Sequence, residues 1–347
     1  QEQMPDVLLT TYGTLRRDFD ALSKRRWRLF VLDEAQAVKN TGTEAYGAAS
    51  AFPASQVIAM TGTPVENRLM EYWSIFSIVQ PGFLGSASEF RTNFVNPIEG
   101  EHDPEVSEAF RKLVAPLMLR RVKTDRSVIE DLPERLVQDV PVRLLPAQAA
   151  LYERALQEAL PAISEAEKGG AKDRVRRKAL VLRLITELKQ ICNSPSQYLK
   201  TREPEPDSAK AQALLEILAE CRSNRRKALV FTQYREMGER LQDWIEKRFG
   251  RRPQFLNGSV AVSQRAAMVD DFQNNPDSDI LLVSLKAGGT GLNLTSASVV
   301  VHYDLWWNPA VENQASDRAW RIGQQRDVLI NHLSAADQVL QVARIRV

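Results

Sequence analysis

The sequence predicts an α/β protein built from two parallel-sheet lobes with a helical insert between them. Three observations carry the parallel-sheet prediction. Short apolar runs alternate with helix-like segments, as β–α units require. This alternation occurs in two separate stretches of the 347 residues. The stretch between them is charged, helical in period and punctuated by Pro81, Pro97, Pro104, Pro133, Pro141, Pro146 and Pro161. The expected divisions are residues 1–125 for the first lobe with the start of the helical insert, 126–205 for the helical linker, and 206–347 for the second lobe.

In the first stretch, strands are expected at residues 7–10, 28–32 and 56–60. The last two are almost continuously apolar, the pattern of a parallel strand covered on both faces. In the middle, Lys172 to Lys189 holds seven Lys/Arg against two acids, and Val181, Leu184, Ile185, Leu188 and Ile191 recur at helical spacing. The run Glu203-Pro204-Glu205-Pro206 reads as a linker. Strands are expected again at 227–232, 254–256, 279–284, 298–303 and 328–333, and helices at 236–249, 263–273 and 310–320.

Composition excludes several classes. Lys+Arg is 46 and Asp+Glu 44, so net charge neither demands nor forbids a nucleic-acid partner, and a basic surface has to be local. The cysteines are Cys192 and Cys221, and His102, His302 and His332 are scattered, which argues against a disulfide scaffold or a zinc site and fits a reducing compartment. No apolar run approaches the ~18 residues of a membrane span, and no signal peptide opens the chain. A membrane partner is not expected, and no oligomer is implied.

Four segments carry chemistry. Asp33-Glu34-Ala35-Gln36 closes an apolar strand with two adjacent carboxylates. An Asp there can hold Mg²⁺ through water, and a Glu can orient or deprotonate an attacking water; a strand ending in ordinary surface acids gives the same pattern. Thr61-Gly62-Thr63-Pro64 follows a second strand and offers two hydroxyls in a tight turn, able to sense a phosphate or to be a plain turn. Lys286-Ala287-Gly288-Gly289-Thr290-Gly291 lets backbone approach a ligand, of nucleotide or nucleic-acid type. Gln314 to Gln324 carries Arg318 and Arg321, three apart and so expected on one helix face, where two guanidiniums can stabilise phosphoryl charge. Between the last two, Trp306-Trp307-Asn308-Pro309 offers one ring or both to core packing, and Asn308-Pro309 suits a helix start.

Taken in order, these segments resemble superfamily-two helicases, most closely the Swi/Snf-type DNA translocases. The match includes Val7 to Leu15, Leu32 to Asn40, Met60 to Asn67, Leu119 to Asp125 with Leu132-Pro133, Leu188 to Asn193, Leu229 to Tyr234, the glycine loop, Trp-Trp-Asn-Pro and Arg-Ile-Gly-Gln. The resemblance implies two RecA-like lobes, the first one incomplete, a helical insert that supplies protrusion and brace, ATP and Mg²⁺ as cofactors bound in the cleft between the lobes, and double-stranded DNA as the track. By that likeness Asp33 binds Mg²⁺ and Glu34 activates water, while Arg318 and Arg321 reach the γ-phosphate. Gln36, Gly289, Gly291 and Gln314 lie beside the nucleotide. Thr10, Tyr12, Thr61, Thr63, Lys286, Gly288 and Trp306 fall in segments that touch DNA or couple it to ATP. Such motors displace or remodel DNA-bound proteins, for example a polymerase or a nucleoid protein. The expected location is cytoplasmic, at the nucleoid in a bacterium, or the nucleus in a eukaryote. An RNA-directed helicase of the same superfamily and a non-hydrolysing relic that binds DNA or a partner are the competing readings.

Three departures stand out. The 347 residues hold no Gly-Lys-Thr or Gly-Lys-Ser segment, the loop whose backbone N–H groups and lysine cradle ATP phosphates. Ser194 stands where the family often has His. Residues 334–347 do not resemble the family's helical ending. These departures predict a fragment that does not hydrolyse ATP unaided.

Overall fold

A computed structural model describes residues 6–62, 68–121, 123, 132–167, 171–285 and 291–336, except that for residues 167, 171 and 172 it describes the backbone alone. The chain divides into two compact units, Gln1–Val122 and Lys123–Val347.

Unit 1 contains β1 (Trp27–Leu32) and β2 (Ala54–Ala59), paired in parallel with Leu32 opposite Ala59. Around them lie α1 (Tyr12–Arg17), α2 (Phe19–Ser23), α3 (Glu44–Ser50), α4 (Met70–Val79), α5 (Ala87–Phe90) and α6 (Pro104–Val114). Leu32, Ala35, Val38, Ala49, Ile75 and Ile78 form the core under the sheet, and Tyr72, Phe76, Phe90 and Phe110 belong to a second cluster. Two expectations fail here. Residues 7–10 form no strand; nothing described pairs with them, and Leu9 is 92% exposed. The strands at 27–32 and 54–59 are not covered on both faces: Leu29, Val31 and Ile58 are exposed while Leu32 is buried. An apolar run reports propensity to be covered, and in this unit α4 covers one face of the pair.

Unit 2 holds a six-stranded, wholly parallel sheet in the order β3-β8-β7-β4-β6-β5. Its strands are β3 (Arg135–Val142), β4 (Lys227–Thr232), β5 (Gln254–Leu256), β6 (Ile280–Ser284), β7 (Ala297–His302) and β8 (Val328–Ala335). Its helices are α7 (Pro146–Glu167), α8 (Ala171–Asn193), α9 (Pro195–Leu199), α10 (Ala209–Ser223), α11 (Arg235–Phe249), α12 (Val262–Asn274) and α13 (Pro309–Ser316). Every residue of β6 and β7 is buried, because cores lie on both faces. The doubly covered strand pattern is therefore met in unit 2.

Strand β3 lies inside the stretch expected to be helical. Gln138, Asp139 and Pro141 disguise it, yet these residues suit an edge strand, where one row of backbone groups faces water and Pro costs no ladder bond. The expected linker at 203–206 has no regular structure but is docked: the Trp244 indole donates to Glu203 O at 3.0 Å, and Lys247 pairs with Glu205. No helix among the described residues is long and apolar enough to cross a membrane.

Candidate nucleotide and nucleic-acid sites

In unit 1 the carboxyl ends of β1 and β2 meet. Ala35 N donates to Met60 O at 2.9 Å and Met60 N to Leu32 O at 2.8 Å, so the chain leaves both strands side by side. Glu34 then adopts a left-handed backbone, φ 48° and ψ 52°, at the head of the 3₁₀ turn Ala35–Val38. That conformation costs a non-glycine residue roughly 1–2 kcal/mol. It is held by side chains. Gln36 Nε2 donates to Glu34 Oε2 at 2.6 Å, and Thr61 Oγ1 donates to Gln36 Oε1 at 2.6 Å. The acid after β1 is thus wired through Gln36 to the hydroxyl after β2. Asp33 Oδ1 accepts from Glu34 N at 3.0 Å, and its side chain is exposed.

Tyr12 closes this site from α1. Its hydroxyl donates to Asp33 O at 2.7 Å, and burial first, then the Asp33 and Glu34 carboxylates, push its pKa up to about 12. Thr10 is exposed just before it. Among the described residues no group of three or more His, Cys, Asp and Glu side chains could cage a metal. The donor set, one open carboxylate with an acid beside it, fits Mg²⁺ held through water and phosphate oxygens, since that ion keeps much of its hydration.

In unit 2 the arginines are placed differently from the expectation. Helix α13 starts as read, with Asn308 Oδ1 accepting from Ala310 N at 3.0 Å and Pro309 in the first turn. It stops at Ser316, so Arg318 and Arg321 do not share a helix face. The segment after it is a series of turns, because its groups are claimed by the fold. Ser316 Oγ contacts His302 Nε2 at 2.7 Å, Lys123 Nζ pairs with Asp317 Oδ2 at 2.8 Å, and Leu294 N donates to Arg318 O at 2.9 Å. Arg318 is 8% exposed, whereas Arg321 is exposed and reaches Leu292 O at 3.4 Å.

Trp320 anchors the turns. Its indole donates to Pro133 O at 2.8 Å, and the cations of Lys123 and Arg135 lie 5.6 and 5.7 Å from the ring centre. Gln324 Nε2 ties the far end to Ala297 O and Ala319 O. Sequence reasoning gave Trp320 and Arg135 no role. The tryptophan between two arginines was the available signal for the first; Arg135 carried none.

Trp306 is half-buried against the sheet core, and Trp307 is the exposed ring, with the Lys189 ammonium 5.0 Å from its centre. Gln314 is half-buried on α13, and Gly291 has φ +28°, a value that favours glycine. Thr63, Lys286, Gly288 and Gly289 lie outside the described residues.

Three of the motif segments converge on Asp304, at the carboxyl ends of β4 and β7. The buried Asp304 carboxylate accepts from Thr232 Oγ1 at 2.6 Å, Gln233 N at 2.8 Å and Asn193 Nδ2 at 3.3 Å. Lys189 Nζ donates to Leu305 O at 2.9 Å and Tyr303 OH to Asn193 O at 2.6 Å, so the end of α8 is pinned to this edge. Ser194, the departure from the usual His, caps α9 and donates to Asp207 Oδ1 at 2.6 Å.

Beneath the arginine turns, His302 is fully buried and stacked on Phe231, 5.4 Å between ring centres. Burial first, then the positive groups His332 and Arg135, lowers its pKa to about 3. In the unfolded chain it titrates near 6.5. Its neutral form therefore supports the fold fully above about pH 6.5, and that support is lost as pH falls toward 3. The expected slope is ~1.4 kcal/mol of unfolding free energy per pH unit in that window. Urea unfolding between pH 7 and 4.5 should show this extra slope in the wild type and its loss in His302→Gln; equal slopes would refute it.

The comparisons with known proteins agree with this architecture. Residues 1–197 match the SNF2-related domain and residues 209–323 the helicase conserved C-terminal domain. With more than half its length inside the first of these, the chain belongs to the SNF2-related family. YwqA of Bacillus subtilis (strain 168), named as a candidate ATP-dependent helicase/translocase, is 42% identical over 331 residues, covering 94% of this chain and 35% of that protein. Zorya protein ZorD of Escherichia coli O139:H28 is 37% identical over 347 residues, covering 95% of this chain and 31% of that one. The chain thus spans about a third of the length of these relatives. Among solved structures, the Sulfolobus solfataricus SWI2/SNF2 ATPase core in complex with dsDNA aligns with TM-score 0.53 and 36% identity, over 98% of this chain and 71% of that one.

Proposed function

We propose that this chain is the larger part of the motor of an ATP-driven translocase that moves along duplex DNA and remodels proteins bound to it. The observation that carries the reading is the strained Glu34, fixed by Gln36 and Thr61 beside the open Asp33 carboxylate. Strain of this kind collects at functional sites. A solvated pair of surface acids needs neither the left-handed backbone nor the relay.

Bound ATP with its Mg²⁺ supplies the phosphoryl bond whose hydrolysis drives the motor. Asp33 would hold the ion through water. Glu34 orients and deprotonates the attacking water, and the Gln36 amide fixes which carboxylate oxygen does so. Arg321 and Arg318 stabilise charge on the transferred phosphoryl group, with Gln314, Gly289 and Gly291 beside it. Thr61, linked to Glu34 through Gln36, couples the acid to the track, which Thr10, Tyr12, Thr63, Lys286, Gly288 and Trp306 touch. Residues 1–125 serve as first lobe, 126–205 as brace apart from β3, which edges the sheet of the second lobe, and 206–347 as the rest of the second lobe of a cytoplasmic or nucleoid-bound enzyme.

The test is DNA-stimulated ATP hydrolysis. In the native full-length protein, Glu34→Gln should lower turnover about 10²–10⁴-fold, the usual contribution of a general base. The 347-residue chain alone, without a Gly-Lys-Thr or Gly-Lys-Ser segment, should hydrolyse at background. Hydrolysis by this chain that Glu34→Gln removes would overturn the phosphate-loop argument. Full-length turnover unchanged by Glu34→Gln would favour the non-hydrolysing relic.

A further inference from the structure

All six strands of unit 2 run in the same direction, so its sheet has a carboxyl edge, where the motif residues gather, and an opposite amino edge. The amino edge is made of four turns, at residues 220–227, 246–254, 275–279 and 325–327. Together they hold nine Lys/Arg against five Asp/Glu, in a chain whose total excess is two.

Two of the five acids, Glu246 and Asp279, are already engaged, while Glu220, Asp277 and Asp327 form no ion pair among the described residues. Arg222 takes Asp279 at 2.9 Å, Arg252 takes Asp243 at 2.6 Å and Glu246 at 2.8 Å, and Lys247 takes Glu205. Arg225, Arg226, Arg248, Arg251 and Arg326 form no ion pair among the described residues. The turns are joined into one surface. Arg326 Nη1 donates to Arg225 O at 3.3 Å, and Arg222 Nη1 donates to Phe249 O at 3.4 Å. Arg222 and Arg248 lie 5.0 and 5.6 Å from the Phe249 ring centre. A cleft of about 110 Å³ opens between Arg222, Arg251 and Arg252, with Asp277 and the paired Asp279 also in its wall.

Helix dipoles explain part of this. Arg222, Lys247 and Arg248 sit in the last turns of α10 and α11, where cations are favourable. Arg225, Arg251 and Arg326 lie beyond the helices and gain little from them. Arg225 also adopts φ 49°, a conformation that suits Gly or Asn, yet it presents a guanidinium there.

We propose that this amino edge is a second nucleic-acid site, which grips the phosphate backbone of a duplex other than the one at the carboxyl edge. The choice of duplex DNA as ligand rests on the translocase reading; the site itself rests on the arginine geometry. Guanidiniums pair with phosphate oxygens in a planar fork, and three unpaired ones on linked turns suit a regularly charged backbone.

The test is stoichiometry with a short duplex, about 12 base pairs, titrated onto the 347-residue chain at low salt, where phosphate contacts dominate affinity. The wild type should bind two duplexes and R225N/R251Q/R326Q one; Asn is chosen at 225 because it accepts the left-handed backbone. R225K/R251K/R326K should restore the second. In the wild type the second step should carry a log–log salt slope of about 0.9 per phosphate contact, about 3 for the three arginines. One duplex on wild type and variant alike overturns the second site and leaves the translocase reading standing. No duplex on either overturns both. One duplex on the wild type, with polyglutamate captured at the amino edge, makes this a surface for an acidic protein and overturns the nucleic-acid proposal.

Discussion

Arg321→Ala in the native full-length protein is expected to lower DNA-stimulated ATP turnover about 10³–10⁵-fold, the contribution an arginine makes to charge on a transferred phosphoryl group. Its melting temperature should move by no more than about 2 °C, because exposed substitutions stay within ~0.5 kcal/mol and a unit of this size shifts 2–4 °C per kcal/mol. The two arginines separate on this readout. Arg318 is 8% exposed, so Arg318→Ala removes packing together with charge and should cost both turnover and thermal stability. Arg318→Lys should keep the charge while losing the planar fork, and so recover stability better than rate. Stopped ATPase assays alongside thermal melts check all three variants. Turnover within about threefold of wild type in Arg321→Ala would remove that residue from the mechanism, since an effect of that size is under 1 kcal/mol.

The arginine turns also show where reading a sequence reaches its limit. Apolar spacing after Asn308-Pro309 continues past Ser316 as though the helix did, and no local breaker interrupts it. What ends the helix is tertiary: Ser316 is drawn to His302, Asp317 to Lys123, and the Arg318 carbonyl to Leu294. Strands β6 and β7 were legible because both faces are covered and the side chains must all be apolar. The same inference misjudged β1 and β2, whose composition is similar but whose outer face is exposed. β3 was hidden by the polar residues that its edge position permits. In the first site, the acid pair and the Thr-Gly-Thr turn could be assigned to one sheet edge from their strands alone. The bridge between them could not: Gln36 is 25 residues from Thr61, and only the parallel pairing of β1 with β2 brings the amide to the hydroxyl. The Asp304 cluster was equally hidden, for its partners come from two segments, the nearer of them 71 residues away along the chain.

That cluster sets the second large expectation, on stability. Asp304 is 1% exposed and Lys210 3% exposed, and burial pushes the carboxyl pKa up and the ammonium pKa down. They are bridged by Asn193, whose Oδ1 faces Lys210 Nζ at 3.5 Å and whose Nδ2 faces Asp304 at 3.3 Å. Asp304→Ala strands the Lys210 charge and leaves Thr232 Oγ1 and Gln233 N without their acceptor. Removing one partner of a buried charged group costs about 3–5 kcal/mol. In a unit of this size that is a fall of about 6–20 °C in melting temperature. Lys210→Met in the Asp304→Ala background removes the stranded charge, so the double variant should be more stable than the sum of the single effects by about 1–3 kcal/mol. Strict additivity in urea unfolding would mean that the two groups do not interact through Asn193. Because the same cluster pins the end of α8 to the carboxyl edge of the sheet, Asp304→Ala should also weaken DNA binding by the folded protein, and Thr232→Val, which removes one neutral donor and strands no charge, should do so far less.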